Sequence, residues 1–75
     1  NIIMYPNPTE NVLYMLNVPK NASVEFYAQD GLLVKSEKSK SGLSKLSLAE
    51  LPTGVYLVRV KVEGDYVSVN KIVKY

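Results

Sequence analysis

The sequence predicts an all-β protein: a small antiparallel sandwich of two sheets, with about seven strands and immunoglobulin-like connections. Turn-forming residues recur at short intervals along the 75 residues, which is typical of sandwiches and barrels. No segment between them carries the sustained apolar stripe of a helix. The turn signals are Pro6-Asn7-Pro8, Val18-Pro19-Lys20-Asn21, Asp30-Gly31, Ser41-Gly42, Pro52-Thr53-Gly54 and Glu63-Gly64-Asp65.

The first half of the chain contains four predicted strands. The strand over 12–18 is apolar on both faces, so it is expected to be central, and its inward face stays undecided. The strand over 23–29 alternates and is therefore expected to be half-buried. At Asp30-Gly31 a tight hairpin turn is predicted, because glycine adopts positive φ without steric cost. The four strands are Ile2–Tyr5, Val12–Val18, Ser23–Gln29 and Leu32–Ser36.

The second half begins with Glu37–Ser44, a polar, lysine-rich stretch that is predicted to be an exposed loop or a frayed edge. Three strands follow, and the middle one alternates most strongly. Glu63-Gly64-Asp65 joins the last two into a hairpin. The three strands are Lys45–Leu48, Val55–Val62 and Tyr66–Val73.

Two proline-containing segments predict rigid corners between strands. In Pro6-Asn7-Pro8, each proline fixes its own φ and extends the residue before it, and the Asn7 side chain is expected to bond nearby backbone. In Leu51–Tyr56, Pro52 suits the second position of a turn and Gly54 a left-handed position. The Tyr56 ring is expected to pack in the core with its hydroxyl bonded or hydrated.

Composition limits the chemistry of the chain. It has no cysteine and no histidine, so it lacks a disulfide framework, a thiol nucleophile and the most common general base and metal-ligating nitrogen. We expect no enzyme activity, no cofactor and no metal site. Nine Lys and Arg against seven Asp and Glu give a net charge of +2. Because the lysines are spread along the chain, no nucleic-acid partner is expected, and no apolar run is long enough for a transmembrane segment.

Several functional interpretations compete with simpler structural ones. A catalytic Ser–Lys pair with Lys45 or Lys71 is conceivable, but serine and lysine are neighbours here often enough by chance. Glu63 and Asp65 are better explained by a turn than by a calcium site. Six tyrosines leave a sugar-stacking platform open, although their spacing places no three on one evident face. The terminal strand Lys71–Tyr75 is predicted to point its basic side chains outward. This pattern favours protection of a sheet edge, with recognition by edge pairing as the alternative.

Four patterns occur in a fixed order along the chain. They are Tyr5-Pro6-Asn7-Pro8 with Val12-Leu13, Val24-Glu25-Phe26-Tyr27 turning at Asp30-Gly31 into Leu33-Val34, Leu51-Pro52-Thr53-Gly54-Val55-Tyr56, and Lys71-Ile72-Val73-Lys74. Together they closely resemble the type A C-terminal sorting domain of the Bacteroidota type IX (Por) secretion system. The resemblance covers essentially the whole chain, and it implies a seven-stranded β-sandwich that acts as a secretion and sorting signal.

The resemblance also implies partners and a destination. The parent protein is exported to the periplasm, an outer-membrane translocon recognises the domain, and a sortase-like protease usually removes it and attaches the cargo to anionic lipopolysaccharide. We therefore expect residues 1–75 to be one domain, a fragment of a larger exported protein whose cargo lies N-terminal to it. The start at Asn1, without methionine or leader, agrees with this expectation. The destination is the outer-membrane surface or the extracellular space.

The positions that match the family motifs are the implied sites of partner recognition, and the terminal strand is the part tied to export. An accessory carbohydrate-binding or spacer module of a surface enzyme is the alternative function, which a tyrosine-dependent affinity for polysaccharide would distinguish. The motif positions are Pro6, Asn7, Pro8, Gly31, Gly54, Val55, Tyr56, Lys71, Ile72, Val73, Lys74 and Tyr75.

Overall fold

Seven strands in two antiparallel sheets form the part of the protein that the structure describes. The computed structural model describes residues 1–39, 42 and 44–75, and over these residues it contains no helix. The three-stranded sheet has the order β1-β2-β5 and the four-stranded sheet the order β4-β3-β6-β7. The predicted all-β sandwich is confirmed. The strands are β1 (Ile3–Tyr5), β2 (Val12–Leu16), β3 (Ala22–Tyr27), β4 (Leu33–Ser39), β5 (Lys45–Ser47), β6 (Gly54–Val62) and β7 (Asp65–Lys74).

The strand order is immunoglobulin-like with one difference. In immunoglobulin constant domains the fourth strand belongs to the sheet of the first, second and fifth strands. In this protein β4 pairs with β3 instead, along a register from Ala22 opposite Ser39 to Tyr27 opposite Leu33. The four-stranded sheet is therefore the larger one, and β7 lies at one of its edges, with β6 as its neighbour.

The core lies between the two sheets. In β2, Leu13 and Met15 are buried, and Leu13 stands opposite the buried Leu46 of β5. Leu13 and Met15 therefore form the inward one of the two apolar faces of this strand. The strand ends at Leu16 rather than at Val18, since Asn17 takes a left-handed φ of 68° that breaks the extended backbone. The other buried core side chains on strands are Ala22, Val24, Phe26, Tyr56, Val58, Val60 and Ile72.

Of the two alternatives predicted for Glu37–Ser44, the exposed loop is wrong for the first part, which belongs to an edge strand. Strand β4 continues through Glu37 and Lys38 to Ser39, whose backbones pair with β3. Lys38 is exposed and Glu37 is partly exposed, so these polar side chains remain hydrated while β3 supplies the ladder hydrogen bonds. Of the remaining part, Lys40, Ser41 and Leu43 lie outside the described residues.

Both predicted hairpin turns form. In the β3–β4 turn, the Gly31 N–H donates to the Ala28 carbonyl at 2.9 Å, and Gly31 takes a φ of 89°. This is a type I turn followed by a left-handed residue, a common three-residue hairpin loop. The β6–β7 turn consists of Glu63 and Gly64, both with positive φ, as a two-residue loop matched to the strand twist requires.

Candidate functional site

The last residues of β7 are held by backbone on both sides. On one side β6 pairs with β7 as far as Gly54 opposite Lys74. On the other side lies the segment Asn7–Thr9, which we call the clasp. Its Thr9 forms a parallel bridge with Lys74. The end of this edge strand is therefore covered, which the terminal pattern of the sequence did not indicate.

The side-chain amide of Asn7 provides the first two hydrogen bonds of the clasp. Its Nδ2 donates to the Lys71 carbonyl at 2.9 Å, and its Oδ1 accepts from the Val73 N–H at 2.9 Å. A primary amide carries a donor and an acceptor side by side, so Asn7 replaces the peptide group that a neighbouring strand would present. The sequence predicted a bond from Asn7 to nearby backbone, whereas its partners lie at the other end of the chain.

Thr9 provides the next two hydrogen bonds. Its N–H donates to the Val73 carbonyl at 2.8 Å, and its carbonyl accepts from the Tyr75 N–H at 3.0 Å. The Thr9 side chain is 1% exposed, and its hydroxyl donates to the Val12 carbonyl at 2.6 Å. The clasp is thus fixed to both β7 and β2, although the sequence analysis did not single out Thr9.

The two prolines explain why the clasp bonds through Asn7 and Thr9. Neither Pro6 nor Pro8 has an N–H to donate. The donors that the clasp uses toward β7 are the side-chain amide of Asn7 and the backbone N–H of Thr9. The Tyr5–Pro6 and Asn7–Pro8 peptide bonds are cis. The predicted corner is present: β1 ends at Tyr5, and Thr9 already lies beside Lys74 at the edge of β7.

Tyr56 supports the first turn of β6 from inside. Its ring is buried, and its hydroxyl donates to the carbonyl of Pro52, four residues upstream. This arrangement is the tyrosine corner of immunoglobulin-like sandwiches, and it confirms the expected packing of Tyr56. The turn itself lies earlier than predicted, because the Leu51 N–H donates to the Leu48 carbonyl.

The predicted left-handed conformation of Gly54 is wrong. Its φ is not among the positive values, because Gly54 is already the first extended residue of β6 and stands opposite Lys74 in the ladder. A Cβ at this position would meet the Tyr56 ring at 3.9 Å, an ordinary van der Waals distance.

The family model of the secretion system C-terminal sorting domain matches residues 3–75. The chain belongs to this family. The sorting domain is therefore a C-terminal sorting signal of the type IX secretion system, and it marks an exported protein for the cell surface or the extracellular space. The family is not a catalytic one. No individually curated protein matches the chain.

The sorting domain brings its motif positions together at one end of the sandwich. Gly54 lies beside Lys74, and Asn7 bonds the backbone of Val73. Gly31 and Val55 line one groove at the same end of the four-stranded sheet. Pro6, Pro8 and Tyr75 line a second groove. Positions that are far apart in the sequence thus lie at the same end of the sandwich, in two separate grooves.

The side chains of these positions differ in their access to solvent. Lys71 and Tyr75 are exposed, whereas Ile72 and Tyr56 belong to the core. The expectation that the terminal basic side chains both point outward is wrong for Lys74, which is 7% exposed. Residues on a strand alternate between faces, so Lys74 shares the inward face of Ile72.

Lys74 and Lys35 both act on the carboxylate of Glu50 in the loop before β6. A hydrogen bond from the Lys35 ammonium is the main cause that lowers the pKa of Glu50, and the positive charge of Lys74 adds to it.

The described part of the sorting domain contains no cluster of three or more His, Cys, Asp or Glu side chains that could hold a metal ion. Over the same residues, no helix has the length and hydrophobicity that crossing a bilayer requires.

Proposed function

We propose that residues 1–75 form the C-terminal domain of a larger exported protein, and that the outer-membrane translocon recognises the end of β7 together with the clasp as one folded feature. The observation that carries this proposal is the bonding of the Asn7 amide to both Lys71 and Val73. It joins the first and the last family motif into a single surface. An unfolded tail would not present this surface.

The exposed side chains of this surface are the contacts that we infer for the translocon. Lys71 offers a positive charge, and Tyr75, 63% exposed, offers a ring with a hydrogen-bonding hydroxyl. Tyrosine is enriched in protein interfaces because it contributes apolar area at low entropic cost. The buried motif residues Tyr56 and Ile72 contribute by holding the strands in place.

The remaining steps follow from the role of a sorting signal. The parent protein crosses the periplasm, its cargo lies N-terminal to the domain, and a sortase-like protease separates the two and attaches the cargo to the cell surface. The domain itself performs no catalysis in this scheme. The absence of cysteine and histidine from the sequence supports an inert label that exposes no thiol or imidazole to the machinery.

The test is delivery of a reporter protein that carries a signal peptide and this domain in a host with a type IX system. Deletion of Lys71–Tyr75 is expected to stop surface delivery. Since this deletion also removes core contacts, Lys71→Glu is the sharper variant, because Lys71 is exposed and the substitution leaves the core intact. Lys45→Glu on the other sheet, also exposed, is the matched control with the same change of charge.

We expect Lys71→Glu to retain reporter inside the cell while Lys45→Glu delivers it normally. Thermal unfolding of the isolated variants checks that both remain folded. Surface delivery that survives deletion of Lys71–Tyr75 would contradict recognition of the terminal strand. Equal delivery defects in Lys71→Glu and Lys45→Glu would show that net charge, rather than the position of Lys71, causes the defect.

A carbohydrate-binding module is the second candidate, and one observation favours it. The rings of Tyr5 and Tyr14 stack with centroids 5.5 Å apart, and both are exposed. Exposed aromatic rings are suitable surfaces for sugar faces. Calorimetry with bacterial and plant polysaccharides tests this candidate: an affinity that disappears in Tyr14→Ala would support it, and no heat of binding would reject it.

A further inference from the structure

On the outer face of the four-stranded sheet, the Arg59 side chain lies between two tyrosine rings. Its Cζ is 5.2 Å from the centroid of Tyr27 and 5.0 Å from that of Tyr66. Both distances are within the range of cation–π attraction. Stacking on two sides restrains the guanidinium, so its orientation is set before any partner arrives.

Glu25 stands directly opposite Arg59 in the register of β3 and β6, yet the two side chains form no ion pair. Its Oε1 accepts hydrogen bonds from the hydroxyls of Tyr27 at 2.7 Å and Tyr66 at 3.2 Å. The ion pairs found among residues 1–39, 42 and 44–75 involve Lys35, not Arg59. The carboxylate thus holds the two rings in place, and the guanidinium keeps its charge.

The hydrogen-bonding capacity of Arg59 is unused in the described structure. Its Nε is buried without a hydrogen-bond partner, and the guanidinium donates no hydrogen bond to a described residue. Arginine has five N–H donors in a planar fork that matches the two oxygens of a carboxylate. A restrained arginine without a carboxylate is therefore prepared for an external one.

An apolar groove of about 360 Å³ begins at Arg59. Its other lining residues are Tyr27, Ala28, Gln29, Gly31, Val55 and Leu57. Leu57 is 42% exposed, and Val69, opposite Arg59 on β7, is 57% exposed. Exposed aliphatic surface from Leu57 and Val69 therefore lies beside the two tyrosine rings that enclose Arg59.

The charge of this face favours an acidic partner. Lys61 lies over the Tyr66 ring at 5.5 Å, and the exposed Lys71 follows Val69 on the same face of β7. With Arg59, these three cations outnumber Glu25. Such a field attracts acidic segments and disfavours basic ones.

We propose that Arg59 and the adjoining groove bind an acidic peptide segment of a partner protein. Arg59 donates two parallel N–H···O hydrogen bonds to an Asp or Glu carboxylate, and the groove binds a neighbouring apolar side chain. A peptide fits better than a saccharide because the guanidinium occupies a face of each tyrosine ring and therefore leaves less aromatic surface for a sugar face. The groove at Arg59 contains no residue of the clasp. A failure of translocon recognition at the end of β7 would therefore leave this proposal unaffected.

The experiment is an NMR titration of the whole chain with acetyl-Leu-Glu-Leu-Glu-Leu-amide at millimolar concentration. A peptide with glutamine in place of glutamate is the matched probe, and trigalacturonate is the saccharide arm. We expect the Arg59 Nε–H and the Leu57 amide to shift with the glutamate peptide alone. Arg59→Lys, which keeps the charge but loses the fork, should weaken binding about tenfold.

Lys45→Gln and Arg59→Gln each remove one positive charge, so their comparison distinguishes loss of the binding site from a change in net charge. We expect peptide binding to be lost only in Arg59→Gln. Backbone spectra of each variant verify that the sheet is retained. Equal shifts with the glutamine peptide, binding of trigalacturonate at these residues instead of the peptide, or no shift with either peptide would each overturn the proposal.

Discussion

The side-chain Oδ1 of Asn7 accepts a hydrogen bond from the backbone N–H of Val73 at 2.9 Å, across 66 positions of the sequence. The same amide donates to Lys71, so Asn7 covers a stretch of strand edge that would otherwise expose unpaired peptide groups. Exposed edges promote unwanted pairing between chains. The clasp therefore protects the terminal strand and makes its presentation depend on residues near the start of the domain.

Replacement of Asn7 by alanine is expected to loosen the end of β7. Loss of two partly hydrated hydrogen bonds should lower the free energy of unfolding by about 1 kcal/mol. Amide exchange at Val73 should accelerate more than exchange at core residues such as Val58. Urea unfolding and hydrogen exchange measure the two effects.

Asn7→Asp distinguishes the two bonds of the amide. Aspartate retains the acceptor for the Val73 N–H but places a carboxylate oxygen against the Lys71 carbonyl, so we expect it to be at least as destabilising as alanine. Asn11→Ala is the control, since the exposed Asn11 side chain makes no hydrogen bond to a described residue. A loss of stability in Asn11→Ala equal to that in Asn7→Ala would contradict the role of the clasp.

Removal of the Tyr56 hydroxyl tests the tyrosine corner. Tyr56→Phe keeps the buried ring but leaves the Pro52 carbonyl without its donor, which should cost about 1.5 kcal/mol. For a domain of this size, Tm should fall by roughly 6–12 °C, as measured by calorimetry. Tyr14→Phe removes an exposed hydroxyl and should leave Tm unchanged; equal effects of the two changes would show that the corner bond is unimportant.

The outer-face cluster predicts a response to alkaline pH. Hydrogen bonding to Glu25, and secondarily to Tyr66, raises the pKa of Tyr27 above its ordinary value of 10.0. Since the folded state holds this proton more tightly than the unfolded state, the contribution to stability is complete below pH 10 and is lost as the pH rises through the folded pKa. Glu25→Ala should return the Tyr27 pKa toward 10.0, as followed by NMR of the ring carbons. An unchanged Tyr27 pKa in this variant would show that the hydrogen bond to Glu25 does not raise it.

The contact between Lys35 and Glu50 predicts a response to acid. The hydrogen bond from Lys35, assisted by the charge of Lys74, lowers the pKa of Glu50 below 4.5. The folded state therefore releases this proton more readily, so the stabilising contribution is present above pH 4.5 and is lost as the pH falls through the folded pKa. Lys35→Met should raise the Glu50 pKa in a carboxyl NMR titration, while Lys45→Met should not.

Local patterns predicted the strands well where the backbone follows from the residues themselves. Strong alternation in β6 and positive φ at Gly31 and Gly64 are local consequences of side-chain size and glycine freedom. The prediction failed at β4 because pairing with β3 extends a polar segment into a strand. It failed at Gly54 because the turn that it was expected to form lies earlier, at Leu48–Leu51.

The sequence by itself determined the all-β class, the approximate positions of the strands along the chain and the family, because turn residues, alternation and ordered motifs can be recognised along a chain without knowledge of contacts. Only the tertiary structure decided that Asn7 and Thr9 hold the end of β7, that Lys74 lies inward, and that Tyr27 and Tyr66 enclose Arg59. Each of these depends on which side chains meet across strands, and pairing between distant segments is set by the packing of the whole sandwich rather than by any one stretch of residues.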